Sequence, residues 1–274
     1  MTNSNKQRSV LITGAGNALA LEFKAKGYPV FATARSLKTL TNLQETSIET
    51  LTLDVTKVDR INALKAEISS RTGGSLDILF NNAGTLYEAP AIEADSARVR
   101  SLFDANVFGL MEMVTAFTPL GRSGPLTHDH QRGLCAAVAA YSDTLRLELD
   151  PLGIKVKTLH MGEVPTPLMA TDNINFGPER ICHVVEDAAR ARTTTHLDKT
   201  MPPTEFAHQV VGEVIKGKTP YVWKGLNAFL VWLLNAVGPR SVFDSLMVKA
   251  AGLDSKEART GVFKRGQDMA KSKQ

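Results

Sequence analysis

Along the first 120 residues, short runs of almost purely apolar side chains alternate with longer stretches in which apolar residues return every third or fourth position. "SVLIT" (9–13), "PVFATA" (29–34), "IETLTLDV" (48–55) and "LDILFN" (76–81) read as strands. Between them, "NALALEFKAKG" sets Leu19, Ala20 and Phe23 on one side of a helix closed by Gly27. "VDRINALKAEISSRT" repeats Val58, Ile61, Leu64 and Ile68 and stops at Gly73-Gly74. "DSARVRSLFDANVFGLMEMVTAFTPL" aligns Val99, Phe103, Val107, Leu110 and Val114 on a long helix. Strands that are apolar on both faces, separated by helices, predict an α/β fold: a Rossmann-like, doubly wound parallel sheet covered on both sides.

The second half is less regular. Residues 136–149 carry Val138, Tyr141, Leu145 and Leu149 at helical spacing, with Gly153 as the stop, and "IKVKTLH" (154–160) reads as a strand. The intervening "GRSGPLTHDHQRG" (121–133) is polar and predicts no strand. Repeated strand-helix units require one there, so the expectation is a sheet with its fifth strand missing. Residues 168–203 are polar and irregular, a helix starts near Thr204-Glu205, and "PYVWKG" (220–225) is a short strand. "LNAFLVWLLNAVG" (226–238) is the most apolar segment. It is too short to span a bilayer, and it fits either a helix packed on the core or one lying in a membrane or lipid-droplet surface. The chain reads as one domain, 1–274, with the apolar helix and a basic tail over 226–274.

Composition narrows the partners. The charge is +4 with a pI of about 9.0, and much of the excess lies in "KEARTGVFKRGQDMAKSKQ", which reads as a solvated tail. Neither zinc-finger spacing nor an aromatic-basic RNA motif occurs, so no nucleic-acid partner is expected. Two cysteines give no disulfide framework and fit a reducing compartment. The polar start "MTNSNKQRS" does not read as a secretory signal, so the expected location is the cytoplasm.

The candidate chemistry lies at the strand ends. A strand running through Gly14 and Gly16 into a helix can hold a diphosphate on backbone N–H groups. Leu19 stands where the strict fingerprint has a third glycine, and any tight strand-to-helix turn looks the same. Arg35 after the second strand suits a ribose 2′-phosphate, hence NADP(H), or is an ordinary surface arginine. Asp54 after the third strand is a ligand contact or a helix N-cap. The run Asn81, Asn82, Ala83, Gly84 at the end of the fourth strand is hard to explain by packing.

The ordered set "LITGAG", "LDVT", "NNAG", "NVFG", "YSDTLRLELDPLGIKV" and "HMGEVPT" resembles the short-chain dehydrogenases/reductases, and within them the fungal NADPH-dependent 1-acyldihydroxyacetone-phosphate reductase-like group. The resemblance implies hydride transfer between NADP(H) and a hydrophobic carbonyl or alcohol, a lipid or a secondary-metabolite ketone. It implies that Thr13, Gly14 and Gly16 form the phosphate turn and that Arg35 reads the 2′-phosphate. Asp54 would lie by the adenine, and Asn81, Asn82, Ala83 and Gly84 would line the cofactor. Asn106 would be the catalytic-site asparagine that supports the proton relay, and Val164 and Thr166 would contact the nicotinamide carboxamide. It also implies a homo-oligomer paired through the helices around 96–118 and 136–149. The apolar segment 226–238 adds a peripheral position on endoplasmic reticulum or lipid droplets to the expected locations.

The chain departs from the family where the proton is handled. The family's tyrosine and lysine positions fall on Gln131 and Cys135, and no tyrosine (28, 87, 141 or 221) is followed by lysine four residues later. Ser123 lies in the polar linker rather than at a strand end, and the phosphate turn is shorter than the family's. His128, Asp129 and His130 stand near the vacant position but read as solvated loop. Three readings stay open: an active oxidoreductase, an inactive binding or scaffold protein, and a coding sequence that lacks internal segments of an active enzyme. The chain as written is expected to show weak or no dehydrogenase activity.

Overall fold

The computed structural model describes residues 7–121, 125–128, 135–162, 164–165, 174–195, 200–216, 219–239 and 241–271. Seven strands, β1 (Val10–Thr13), β2 (Val30–Ala34), β3 (Glu49–Thr52), β4 (Ile78–Asn81), β5 (Pro125–His128), β6 (Lys155–Met161) and β7 (Tyr221–Lys224), form one sheet in the order β3-β2-β1-β4-β5-β6-β7. Every pairing is parallel. The direction of winding reverses between β1 and β4, which opens a crevice at their carboxyl ends, the place where such sheets bind ligands.

Alternation along each strand builds two cores. Val10 and Ile12 of β1 face a cluster that includes Phe23 of α1 (Asn17–Ala25). Leu11 faces the opposite cluster with Ile61 of α3 (Val58–Thr72). The short helix α2 (Thr41–Gln44) places Leu43 in the first core. The long helix expected after residue 95 is present but interrupted. α4 (Ser96–Phe103), with Asp95 accepting the Arg98 N–H as its cap, passes through a π-helical turn at Asp104–Phe108 into α5 (Gly109–Phe117). α6 (Cys135–Leu149) follows β5.

The expected absence of a fifth strand is overturned. β5 lies between β4 and β6, with Leu126 opposite both Leu79 and Val156. Without it, facing N–H and C=O groups of two buried strands would lack partners. That demand outweighs the weak strand pattern of "PLTH", and Pro125 occupies the first position of the strand, where a missing N–H costs least.

Beyond β6, the stretch read as irregular contains a 3-10 turn at Ile181–Val185 and α7 (Glu186–Thr195). α8 (Pro203–Lys216) packs Val210, Val211 and Val214 into the first core beside α1. The chain then adds β7, α9 (Ala228–Val237), α10 (Asp244–Ala250) and α11 (Lys256–Lys271). The basic segment expected as a tail is thus largely helical. It is held at Arg180, whose carbonyl accepts a hydrogen bond from Arg265 Nε at 2.6 Å. Lys157, 1% exposed in the middle of β6, donates from Nζ to the Thr219 carbonyl at 2.6 Å and so ties β6 to the entry of β7. Burial lowers its pKa, and Glu213 nearby works against that shift.

Candidate cofactor-binding site

Thr13, 1% exposed, ends β1 with its hydroxyl turned to the end of β4. The hydroxyl accepts the N–H groups of Asn82 and Ala83, each at 3.0 Å, while Asn82 Nδ2 donates to the Thr13 carbonyl at 3.0 Å. Three bonds therefore knit the ends of β1 and β4 where their ladder stops. Gly14 follows at φ +71°, and a Cβ there would sit 2.7 Å from the Ala83 Cα. A side chain is excluded twice, by the left-handed backbone and by contact with main chain that cannot move aside. Gly16 is packed on the other side, with Ile12 Cγ2 at 3.1 Å and Asn82 Nδ2 at 3.2 Å from its would-be Cβ. The "TGAG" and "NNAG" segments are one interlocked corner.

Only Ala15 and Gly16 separate Gly14 from the first residue of α1. α1 begins without a side-chain cap and without an acidic residue in its first turn. Its partial positive charge is thus uncompensated, the condition that favours an anion. Asn17, which sequence reasoning passed over, stands at this start. Its Nδ2 donates to the Thr39 carbonyl at 3.4 Å, and its Oδ1 is buried with no donor among the described residues. Asparagine at a helix start is too ordinary a cap to have drawn notice.

Arg35 and Asp54 leave the neighbouring strands β2 and β3, which are joined at this end by Leu53 N–H donating to the Ala34 carbonyl at 2.9 Å. Arg35 is exposed. Asp54 accepts the Thr56 N–H at 3.0 Å and the Thr56 hydroxyl at 2.8 Å. Partial burial raises its pKa, but those bonds and the nearby charges of Arg35 and Lys57 outweigh it, so Asp54 stays below the usual carboxylate value. It does not cap α3, whose N-cap is Lys57.

Asn106 lies in the π-helical turn and faces the chain leaving β4. Its Oδ1 accepts the Thr85 N–H at 2.8 Å and its Nδ2 donates to the Thr85 carbonyl at 2.8 Å. The paired bonds fix the backbone just past Gly84, whose would-be Cβ lies 3.5 Å from Asn106 Oδ1. A π-turn adds a residue to the helix and turns that side chain toward the crevice, a device found often at functional sites.

The structure therefore gathers Thr13, Gly14, Gly16, Asn81, Asn82, Ala83, Gly84 and Asn106 at the crevice, with Arg35 and Asp54 at its β2–β3 side. Val164 is buried in the first core. Thr166, Ser123, Asp129, His130 and Gln131 lie outside the described residues, as does the side chain of Cys135. Tyr141 packs against the second core, where burial and the charges of Glu148 and Glu112 push its pKa up. A tyrosine working as a proton donor near neutral pH needs a cation instead.

A cavity of about 250 Å³ lies at the far end of β2, lined by Lys24, Tyr28 and Glu49, away from this chemistry. A second, of about 230 Å³, lies beyond the end of β4 between Tyr87, Pro90 and Arg98 on one side and Phe176 and Arg180 on the other. Arg98 stacks on the Tyr87 ring at 4.1 Å.

The donor set fits the adenosine and phosphate half of a nicotinamide dinucleotide: an uncapped helix start, glycines that bring backbone close, an orphaned polar atom and a guanidinium beside a carboxylate.

Comparison with known proteins agrees. The family profile described as short chain dehydrogenase matches residues 8–125. A short-chain dehydrogenase/reductase of Pestalotiopsis microspora is 35% identical, over 93% of this chain and 98% of that one. An NADPH-dependent 1-acyldihydroxyacetone phosphate reductase of Schizosaccharomyces pombe is 36% identical over 60% of this chain and 62% of its own length. The crystal structure of a short-chain dehydrogenase from Streptomyces avermitilis superposes with a TM-score of 0.70, covering 91% of this chain and all of that one at 24% identity, which speaks to the fold alone.

Proposed function

The chain belongs to the short-chain dehydrogenase family of oxidoreductases, and from that premise we propose that it binds NADP(H) and serves the oxidation or reduction of a hydrophobic alcohol or carbonyl compound. The observation that carries the cofactor preference is Arg35 beside Asp54 at the ends of β2 and β3, close enough for the guanidinium to bias the carboxylate. A cation in that place favours a 2′-phosphate and offers nothing to a bare 2′-hydroxyl that an acidic residue would offer. The named specificity of the Schizosaccharomyces relative points the same way.

In this reading the α1 start receives the diphosphate and Arg35 the 2′-phosphate, while Asp54 lies at the adenine side. When bound, the nicotinamide supplies the hydride chemistry. Asn106 keeps the Thr85 backbone in place at the floor of the crevice. A hydrophobic substrate is proposed by analogy with the 1-acyldihydroxyacetone phosphate reductase relative alone; the second cavity carries Glu93, Asp95, Arg98 and Arg180 beside Tyr87, Pro90 and Phe176 and does not itself favour an apolar ligand.

A second reading, binding without turnover, is favoured by one fact: no tyrosine in the chain is followed by lysine at the fourth position. Fluorescence titration with NADPH and NADH tests the first step. Arg35→Glu is expected to weaken NADPH binding about tenfold or more, by the loss of a charge-assisted bond, and to leave NADH binding unweakened or strengthened, since a carboxylate there can accept the ribose 2′-hydroxyl. Equal affinity of the unaltered protein for NADPH and NADH would refute the assignment of Arg35. NADPH oxidation with a panel of hydrophobic ketones then separates the two readings. Turnover that disappears in Asn106→Ala supports the enzyme, and binding without turnover supports the second.

A further inference from the structure

Helices on a protein surface ordinarily turn their polar side to water. α9 does the reverse. Ala228 is its only fully buried residue, and Val231 and Leu234 are half-buried. Phe229, Leu230, Trp232, Leu233 and Val237 are all exposed, Phe229 to 67% and Val237 to 76%. At 100° per residue they span an arc of about 160°, and that arc holds no charged side chain. The Phe229 and Trp232 rings lie 5.4 Å apart and form an aromatic ridge along it. Leu246 and Met247 of α10, the next helix, are exposed as well. The apolar arc of α9 needs a cover.

Charge decides among the covers. Residues 239–274, which follow α9 directly, contain eight Lys or Arg and four Asp or Glu, so the whole +4 of the chain lies there and the remainder is neutral. A second copy docked through α9 about a twofold axis would bring two such cationic segments together. An anionic bilayer would attract them while its acyl boundary took up the apolar arc. Among the described residues no helix is long and apolar enough to cross a membrane, and ten residues of helix cover only about 15 Å.

We propose that α9 lies in the interfacial zone of an anionic lipid membrane, with Phe229, Leu230, Trp232, Leu233 and Val237 inserted and the cationic segment after it held at the headgroups. This binding does not depend on the cofactor assignment. The placement also sets the bilayer beside the end of β6. Gly162, the residue after β6, donates its N–H to the Lys224 carbonyl at 2.7 Å, and a Cβ on it would collide with the Leu226 carbonyl just before α9.

The test is flotation of the full-length protein with vesicles of phosphatidylcholine containing phosphatidylserine, against pure phosphatidylcholine vesicles. Tryptophan emission is read in parallel. The expected result is co-flotation with the anionic vesicles and a blue shift, both weakened by salt. Leu230→Glu/Val237→Glu, at exposed positions, should lower the bound fraction about tenfold or more with unchanged circular dichroism and NADPH affinity. Protein that stays at the bottom of the gradient with anionic vesicles overturns the proposal. So does equal flotation of the double variant, or a homodimer in ultracentrifugation that the double variant dissociates, which would assign the face to a second copy.

Discussion

Thr13→Val isolates the corner that joins the two halves of the crevice. The substitution keeps the β-branched shape and volume, so no cavity forms, and it removes a single acceptor. That acceptor serves two backbone N–H groups, of Asn82 and Ala83, both at 3.0 Å. The side chain is 1% exposed, so water cannot replace it at the old position. A donor left buried and unsatisfied costs about 1–3 kcal/mol. Two donors sharing one oxygen, with Asn82 and Ala83 themselves only half-buried, place the sum at about 2–4 kcal/mol. Thr13→Ser keeps the oxygen and loses one methyl, and its cost should be nearer 1 kcal/mol. Urea unfolding read by circular dichroism gives both values, provided the slope of the transition is unchanged. A further contrast follows at the site. Because the same bonds set the approach of Gly14 to Ala83, Thr13→Val should weaken NADPH binding in protein that is still folded, whereas Thr13→Ser should not. A Thr13→Val protein within 0.5 kcal/mol of the parent would refute this account of the corner, since ~0.5 kcal/mol is the range of substitutions that touch nothing.

Gly109→Ala probes the junction of the π-turn and α5: the new Cβ would lie 2.8 Å from the Val55 carbonyl oxygen and 2.9 Å from Val55 Cγ2. Thermal melting should show a loss of about 1–3 kcal/mol, against the gain that glycine-to-alanine exchange usually brings inside a helix. Glu93 accepts the N–H groups of Ile181 at 2.6 Å and Cys182 at 2.9 Å across the chain. Glu93→Ala should speed hydrogen exchange at those two amides and around α11, and leave the β1–β4 corner protected. Asp54 has a folded pKa below its ordinary value of 3.8, so its contribution is present above that value and disappears as pH falls through the folded pKa. The stability difference between the protein and Asp54→Asn should therefore be flat at neutral pH and shrink in titrations below about pH 4.

Several features were legible in the sequence because they depend on local pattern. β1, β2 and β4 are buried along their whole length and bounded by turn residues, and such strands lie inside the sheet, whereas β3, with exposed Glu49 and Thr52, forms its edge. α3 was readable from end to end, since Ile61, Leu64 and Ile68 keep helical spacing and Gly73 takes the left-handed φ of +64° that closes it. The glycines and asparagines of the corner were readable as chemistry because strand packing alone gives no reason for two asparagines followed by alanine and glycine at a strand end. Composition likewise placed the most apolar helix and the cationic segment next to one another along the chain.

Tertiary structure decided the rest. "PLTH" has no strand signal of its own. It is a strand because the edges of β4 and β6 stand ready on both sides, and their hydrogen bonds outweigh its propensity. The role of Thr13 as a shared acceptor, the hold of Asn106 on Thr85 and the orphaned oxygen of Asn17 depend on residues as many as 70 positions apart. No periodicity reports such contacts. The sequence also left open whether α9 packs on the core or faces outward. That choice rests on how much of its surface β7 and its neighbours can cover, and they cover the Ala228 side alone, which leaves the aromatic ridge in the open.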